Sequence, residues 1–323
     1  MITGKGERHM VKVTIIGAGS VGSTIAYTLA VDGIASEIVM VDINEEKALG
    51  EALDIRQGTA FCPLTSIYAG SYRDAVDSDI VILTSGVARK PGQSRLDLAQ
   101  TNIDITKSII PQVTKYAPNA TYVIVSNPVD ILTYVWHKTS GLPENKIIGS
   151  GTVLDTARLC ARISEHYKIN QRDVNAFVLG EHGDTSFVPW SLANIANIPI
   201  DEYHKASTSR STYCPPINHE EVENYMRKSG GRIIQRKGAT FYAIALSTAH
   251  ICKSLISGID TTLTVSSMMH GEYGIDDVCL SVFCIVGRDG INGKVLYPFT
   301  PEEQALLERS ANSLKEVIAN VRI

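Results

Sequence analysis

The 323-residue sequence has no run of about 18 or more consecutive apolar residues, the length a helix needs to span a bilayer. Thr, Ser, Asn, Asp or Gly interrupts even its most apolar stretches, so no membrane association is expected. A surplus of positive charge is also missing. With 30 Lys+Arg against 34 Asp+Glu the formal charge is -4, too little cation to neutralise a run of phosphates, and nucleic acid is not expected as a partner. Six cysteines are present, Cys62, Cys160, Cys214, Cys252, Cys279 and Cys284, but none stands in C-x-x-C spacing. Neither a metal site nor a disulfide framework is read from them, and free thiols in a reducing cytoplasm are expected. The first ten residues contain no apolar core of the kind a signal peptide carries, so residues 1–10 are expected to be a leader outside the fold. Internal repeats and low-complexity segments are absent as well.

What is there is ordinary globular material, 44% hydrophobic and 20% charged. The length favours two domains at roughly 100–200 residues each. VKVTII at residues 11–16 is short, β-branched and apolar, which suits a strand buried on both faces of a parallel sheet. Further strands are predicted in EIVMVD (37–42), DIVILTSG (79–86) and TYVIVSNP (121–128). Helical patterns lie between them, including residues 45–57 and 97–115. Strands alternating with helices predict an α/β fold with a doubly wound parallel sheet over residues 11–150. After Gly151 the rhythm changes. TVLDTARLCARISEHY reads as a helix, DVNAFVLG as a strand, residues 205–219 as a polar loop, VCLSVFCIVG as a strand and the segment from Pro301 as an amphipathic terminal helix. Residues 151–323 are therefore expected to form an α+β domain.

Gly17-Ala18-Gly19-Ser20-Val21-Gly22 is a G-x-G-x-x-G that follows a predicted strand and opens a predicted helix. Asp42 stands twenty residues after Gly22, at the end of the next strand. Together these make a dinucleotide fingerprint. Gly17 permits the tight turn, Gly19 lets the backbone approach a pyrophosphate, and Gly22 lets helix and strand pack closely. The helix N-terminus offers N–H donors to the pyrophosphate. Asp42 would accept bonds from the adenosine ribose hydroxyls and repel a 2′-phosphate, so NAD is expected rather than NADP. Ser20 and Val21 join the three glycines and Asp42 as candidate cofactor contacts.

Two polar clusters point to chemistry. His182 lies in Glu181-His182-Gly183-Asp184, just after DVNAFVLG, and Asp155 and Arg158 stand at i,i+3 spacing on one helix face. A carboxylate beside an imidazole raises its pKa and fixes its tautomer, as a general acid/base requires. A guanidinium fork binds a substrate carboxylate bidentately. Taken alone, Asp155 and Arg158 fit a surface ion pair equally well. The third cluster, from Gly86 to Arg95, is a glycine-flanked basic loop directly after a sheet strand. Ligands bind outside the carboxyl ends of parallel strands, where this loop, Gly17 to Gly22 and Ser126-Asn127-Pro128 should all emerge. Arg89 and Arg95 would bring cations onto an anionic substrate as such a loop closes, and Gly86 and Asn127 would border the cofactor.

The set GAGSVG, ARKPGQSR, VSNPVD, GSGTVLDTAR, GEHGDTSFVPW and KGATFYAIA resembles the L-lactate/L-malate dehydrogenase family, most closely its bacterial L-lactate branch, from about Val11 to the C-terminus. The resemblance implies a Rossmann domain followed by a substrate domain, NAD as cofactor, and reversible reduction of a 2-keto acid to an L-2-hydroxy acid. It makes His182 the proton donor to the keto oxygen and Asp155 the carboxylate that orients it. Arg158 becomes the clamp on the substrate carboxylate, Arg95 the loop arginine that polarises the carbonyl, and Asn127 a contact to nicotinamide ribose and substrate. Thr240 and Ile244 resemble residues lining the substrate pocket and the nicotinamide face. A homotetramer or dimer is implied.

The chain departs from the lactate pattern in two respects, at three positions. Six residues before Arg95, where many lactate dehydrogenases carry Gln, this chain has Arg89, the residue typical of malate dehydrogenases. A second substrate carboxylate, as in oxaloacetate, would pair with Arg89, whereas pyruvate's methyl would leave a guanidinium without a partner. The surrounding motifs point to lactate and this residue to malate. At the two places where bacterial enzymes activated by fructose 1,6-bisphosphate carry an Arg and a His, this chain has Cys160 and Asn175, so activation by that anion is not expected. A protein that senses NAD without turnover would explain GAGSVG and Asp42, but would have no need of His182, Asp155, Arg158 and Arg95 together.

Overall fold

A computed structural model describes residues 10–87, 95–206 and 215–323. Arg89 and the rest of 88–94, the side chain of Arg95, residues 1–9, and 207–214 with Cys214 lie outside the described residues. The first half alternates as its apolar pattern requires: β1 (Lys12–Ile16), α1 (Ser20–Val31), β2 (Glu37–Val41), α2 (Glu45–Gly58), β3 (Ser66–Ala69), β4 (Ile80–Leu83), α3 (Arg95–Thr114), β5 (Thr121–Ile124), α4 (Val129–Thr139) and β6 (Ile147–Gly149). Every residue of β4 and β5 is buried, which explains why they read as unbroken apolar runs rather than alternating ones. These six strands are parallel in the order β3-β2-β1-β4-β5-β6. The order reverses between β1 and β4, and the loops leaving those two strands flank the crevice at that switch point.

The second half adds α5 (Val153–Tyr167), β7 (Val174–Asn175), β8 (Asn194–Ile195), β9 (Ile198–Pro199), α6 (Ile200–Ala206), α7 (His219–Lys237), α8 (Tyr242–Ile256), β10 (Thr261–His270), β11 (Asp276–Gly287), β12 (Gly290–Lys294) and α9 (Pro301–Ala319). Its long hairpin extends the first sheet. β10 pairs antiparallel with β6, Ser266 standing opposite Gly149, and β11 and β12 follow at the edge, which makes nine strands among the described residues. A Cβ at Gly149 would collide with Thr133 and Ser266, so only glycine fits this seam. One apolar core runs from Ile15 and Ile82 through Trp136 to Val265 and Leu280. A second packs α5 and α7 around the small β7-β8-β9 sheet.

The expected strand DVNAFVLG is broken: it pairs as a strand at Val174–Asn175 and again as single bridges at Leu179 and Gly180, but not between them. The reason lies in where its next backbone groups go. The Val178 N–H donates to the Thr156 hydroxyl at 2.9 Å and its carbonyl accepts the Thr152 hydroxyl at 2.5 Å. The side chains of Thr156 on α5 and of Thr152, which precedes it as N-cap, thus replace a strand partner. Among the described residues no helix is long and apolar enough to cross a membrane, and Cys62, Cys160, Cys252, Cys279 and Cys284 are free thiols.

Candidate active site

The loop after β1 separates the three glycine roles physically. Gly17 has φ +109°, and a Cβ there would lie 2.7 Å from the Thr84 hydroxyl. A Cβ on Gly22 would overlap the carbonyl oxygen of Gly17. Gly19 differs, because a Cβ there would meet nothing within 4 Å. The fold itself has no use for glycine at position 19, as expected where a ligand comes against the backbone. Gly19 is also the N-cap of α1 and provides no side-chain cap, so the N–H groups of Ser20, Val21 and Gly22 are left for an anion. Asp42, one residue past β2, is aimed by two backbone donors: Oδ2 accepts the Ala18 N–H at 2.6 Å and Oδ1 accepts the Asn44 N–H at 2.8 Å. A carboxylate oxygen has a second lone pair, so Asp42 keeps acceptor capacity for ribose hydroxyls. These residues fit a dinucleotide.

The acid/base pair comes together across the chain. His182 Nδ1 lies 2.5 Å from Asp155 Oδ2, and Arg158 Nη1 donates to Asp155 Oδ1 at 2.9 Å. The i,i+3 spacing on α5 makes the second contact. The first requires the loop after Gly180 to be fastened in place. Gly180, with φ +87°, exchanges two 2.9 Å backbone bonds with Ser281 on β11. The Glu181 N–H donates to Ser310 on α9 at 2.6 Å. The His182 N–H donates to Asp130 on α4 at 2.7 Å.

Charge follows geometry. The negative charge of Asp155 raises the His182 imidazole to about 9, against the opposing effect of burial. Burial pushes the Asp155 carboxyl up, but the charges and hydrogen bonds of His182 and Arg158 hold it below the usual carboxylate range. The ring is therefore a cation at neutral pH, and its side chain is 24% exposed, open on one side. With Nδ1 turned to Asp155, Nε2 is the nitrogen available to a substrate oxygen.

Side-chain bonds tie together the loops that leave β1, β4 and β5. The Thr84 hydroxyl donates to the Gly17 carbonyl at 2.9 Å. Buried Asn102 on α3 accepts the Val87 N–H at 2.9 Å and donates to the Asn127 carbonyl at 2.7 Å, tying the segment just after Gly86 to the turn after β5. Asn127 is exposed beyond β5, its peptide to Pro128 is cis, and Asp130 follows three residues later. Thr240 and Ile244 stand at the start of α8, past Gly238, whose φ of +84° ends α7; Ile244 rests partly on the core. Cys160 is buried with its thiol 3.4 Å from the Ala176 carbonyl, and burial raises its pKa, so it stays neutral. Asn175 is exposed and donates to Asn194 Oδ1 at 3.2 Å. Arg89 and the guanidinium of Arg95 lie outside the described residues, although Arg95 opens α3.

Residues 11–149 match the lactate/malate dehydrogenase NAD binding domain, and residues 152–322 match the lactate/malate dehydrogenase alpha/beta C-terminal domain. The chain belongs to the lactate/malate dehydrogenase family. An L-lactate dehydrogenase of Acetivibrio thermocellus is 47% identical over 316 residues, 97% of this chain and 98% of that protein. One from Clostridium perfringens is 47% identical over 309 residues, 96% of each chain. The crystal structure of the minor L-lactate dehydrogenase of Enterococcus mundtii superposes with a TM-score of 0.91 at 38% identity, covering 97% of this chain and 99% of that one. The cofactor of this family member is NAD, which agrees with the open cradle at Gly19 and with Asp42.

Sequence reasoning missed Asp130 and Asn102. Asp130 is a polar residue in an apolar stretch of helix, a signal for a buried partner, but nothing in the order of residues says what the partner is, and Asn102, among Gln100, Thr101 and Asp104, carries no such signal.

Proposed function

We propose that this chain is an NAD-dependent L-lactate dehydrogenase, interconverting pyruvate + NADH + H+ and L-lactate + NAD+. The observation that carries the reading is the His182–Asp155–Arg158 cluster, in a chain whose relatives are named L-lactate dehydrogenase. NADH, when bound, supplies the hydride to the keto carbon. His182 holds a proton at Nε2, gives it to the keto oxygen during reduction, and takes it back from the hydroxyl in the reverse direction. Asp155 fixes the ring and stabilises the imidazolium. Arg158 uses one N–H on Asp155 and keeps its remaining donors for the substrate carboxylate. Arg95 would polarise the carbonyl, Asn127 would contact the nicotinamide ribose and substrate, and Thr240 and Ile244 would line the pocket.

Arg89 favours a second reading, in which oxaloacetate and L-malate are the substrates because a second carboxylate would pair with it. Several finer points belong to the same proposal. Residues 11–150 hold the cofactor and 151–323 hold the substrate. The enzyme is a cytoplasmic homotetramer or dimer. Fructose 1,6-bisphosphate does not activate it, because buried Cys160 and neutral Asn175 offer a phosphate no cation; a large fall in the pyruvate KM on adding that compound would contradict this. The deciding assay is NADH oxidation with pyruvate and with oxaloacetate, wild type beside His182→Ala. Wild type should turn over at least one of the two, and the variant should lose roughly 10²–10⁴-fold in kcat. Unchanged turnover would remove His182 from the mechanism.

A further inference from the structure

Asp130 occupies the first turn of α4 and is 3% exposed. A carboxylate this deep is costly to ionise unless donors meet it. Two do, and both lie outside its own helix. Oδ2 accepts the His182 main-chain N–H at 2.7 Å, from 52 positions along the chain, and Oδ1 accepts the Ser266 hydroxyl on β10 at 2.6 Å, from 136 positions along. An acidic residue serving only its helix would turn to the first-turn N–H groups of that helix. Asp130 instead holds the peptide of the acid/base residue. His182 thus stands between two carboxylates, Asp155 on its ring and Asp130 on its main chain.

We propose that Asp130 is a second, positioning carboxylate for the reaction, fixing the His182 peptide and adding its charge to the stabilisation of the imidazolium. This rests on the reading of His182 as the proton donor. The titratable groups acting on Asp130 are His182 and Glu181 from the loop after Gly180 and Cys279 from β11. The thiol of Cys279 is raised well above its ordinary value, by burial first and then by Asp130, and stays neutral. Burial lifts the Asp130 carboxyl to about 6, with the Ser266 hydroxyl and the His182 N–H opposing the rise. It is ionised above that pH, where its negative charge favours a protonated His182. Ser266 supports this state: without its hydroxyl the carboxyl would hold its proton to higher pH.

Asp130→Asn tests the proposal, because the amide oxygen can still accept the His182 N–H while the charge is gone. Two profiles should move together, both downward by about 1 pH unit: the alkaline limb of pyruvate reduction, which needs His182 protonated, and the acid limb of lactate oxidation, which needs it neutral. The pyruvate KM should hold while kcat for reduction falls. Ser266→Ala removes a donor but leaves Asp130 ionised where His182 titrates, so it should leave the alkaline limb where it is in wild type and separates loss of the charge from loss of a hydrogen bond. The apoenzyme gives an independent reading, since diethylpyrocarbonate reacts with neutral imidazole; its rate on the His182 peptide against pH should show the same displacement. Folded Asp130→Asn protein with unshifted limbs and an unshifted modification profile would overturn the proposal, as would, if that variant does not fold, a wild-type His182 ring resonance that shows no displacement by NMR as Asp130 ionises near pH 6. Should wild type reduce no 2-keto acid at all, the reading of the function fails, while the modification profile still decides whether Asp130 and His182 are coupled.

Discussion

Asp155 divides its carboxylate between two cations, Oδ2 to His182 at 2.5 Å and Oδ1 to Arg158 at 2.9 Å. The His182 ring, held at about 9 against 6.5 for a free imidazole, contributes stability that is complete below 6.5 and disappears as pH rises through about 9. Asp155, held below its ordinary 3.8, contributes stability that is complete above that value and disappears as pH falls through the lowered one. In Asp155→Asn the histidine should return towards 6.5. The alkaline limb of kcat/KM for pyruvate reduction should then move down, with a loss of more than about tenfold at pH 8 from the protonated fraction alone. A limb that stays where it is in wild type would show that another group sets it.

Gly19 and Gly22 should fail in opposite ways. Gly22→Ala drives a methyl into the Gly17 carbonyl and should destabilise the fold by about 3 kcal/mol or more, read as a fall in Tm. Gly19→Ala has open space and should leave Tm nearly unchanged while the Kd for NADH, measured by fluorescence titration, rises at least tenfold. A Gly19→Ala variant that binds NADH as wild type does would place the pyrophosphate elsewhere.

Arg89→Gln should shift the ratio of kcat/KM values from oxaloacetate towards pyruvate by tenfold or more, about 1.4 kcal/mol. Steady-state kinetics with both keto acids reads this directly. An unchanged ratio would mean that Arg89 does not face the substrate's third carbon.

Gly231 lies inside α7, exposed, with nothing within 4 Å of a Cβ placed on it. Gly231→Ala should therefore stabilise the chain by about 0.5–1 kcal/mol through the smaller entropy loss of alanine in a helix. Thermal melting is the check, and a lower Tm would point to a role for backbone freedom at this position.

The parts of this protein that were readable in its sequence are those specified locally. GAGSVG, the runs of β1, β4 and β5, and the spacing of Asp155 and Arg158 each lie within one element, where period and residue type decide the structure. The partnership of His182 with Asp155 joins residues 27 positions apart and followed only from chemistry and family resemblance. Asp130 had no such help, because its role depends on His182 and Ser266, which only the folded chain brings to it. DVNAFVLG misled for a related reason. Its β-branched, apolar character describes burial correctly, but whether such a segment joins a ladder depends on what lies beside it, and here the neighbours are the hydroxyls of Thr152 and Thr156.

The strand β10 touches both tasks of the molecule. Through Ser266 opposite Gly149 it extends the sheet that also contains β1, the strand leading into the glycine loop, and through the hydroxyl of the same residue it reaches the carboxylate behind the proton donor. The two halves share the nine-stranded sheet and the larger of the two apolar cores, which couples their melting. Heating should give a single calorimetric transition, and NADH should raise it as a whole, so that a cofactor bound at the β1/β4 crevice also protects the segments that hold the proton donor.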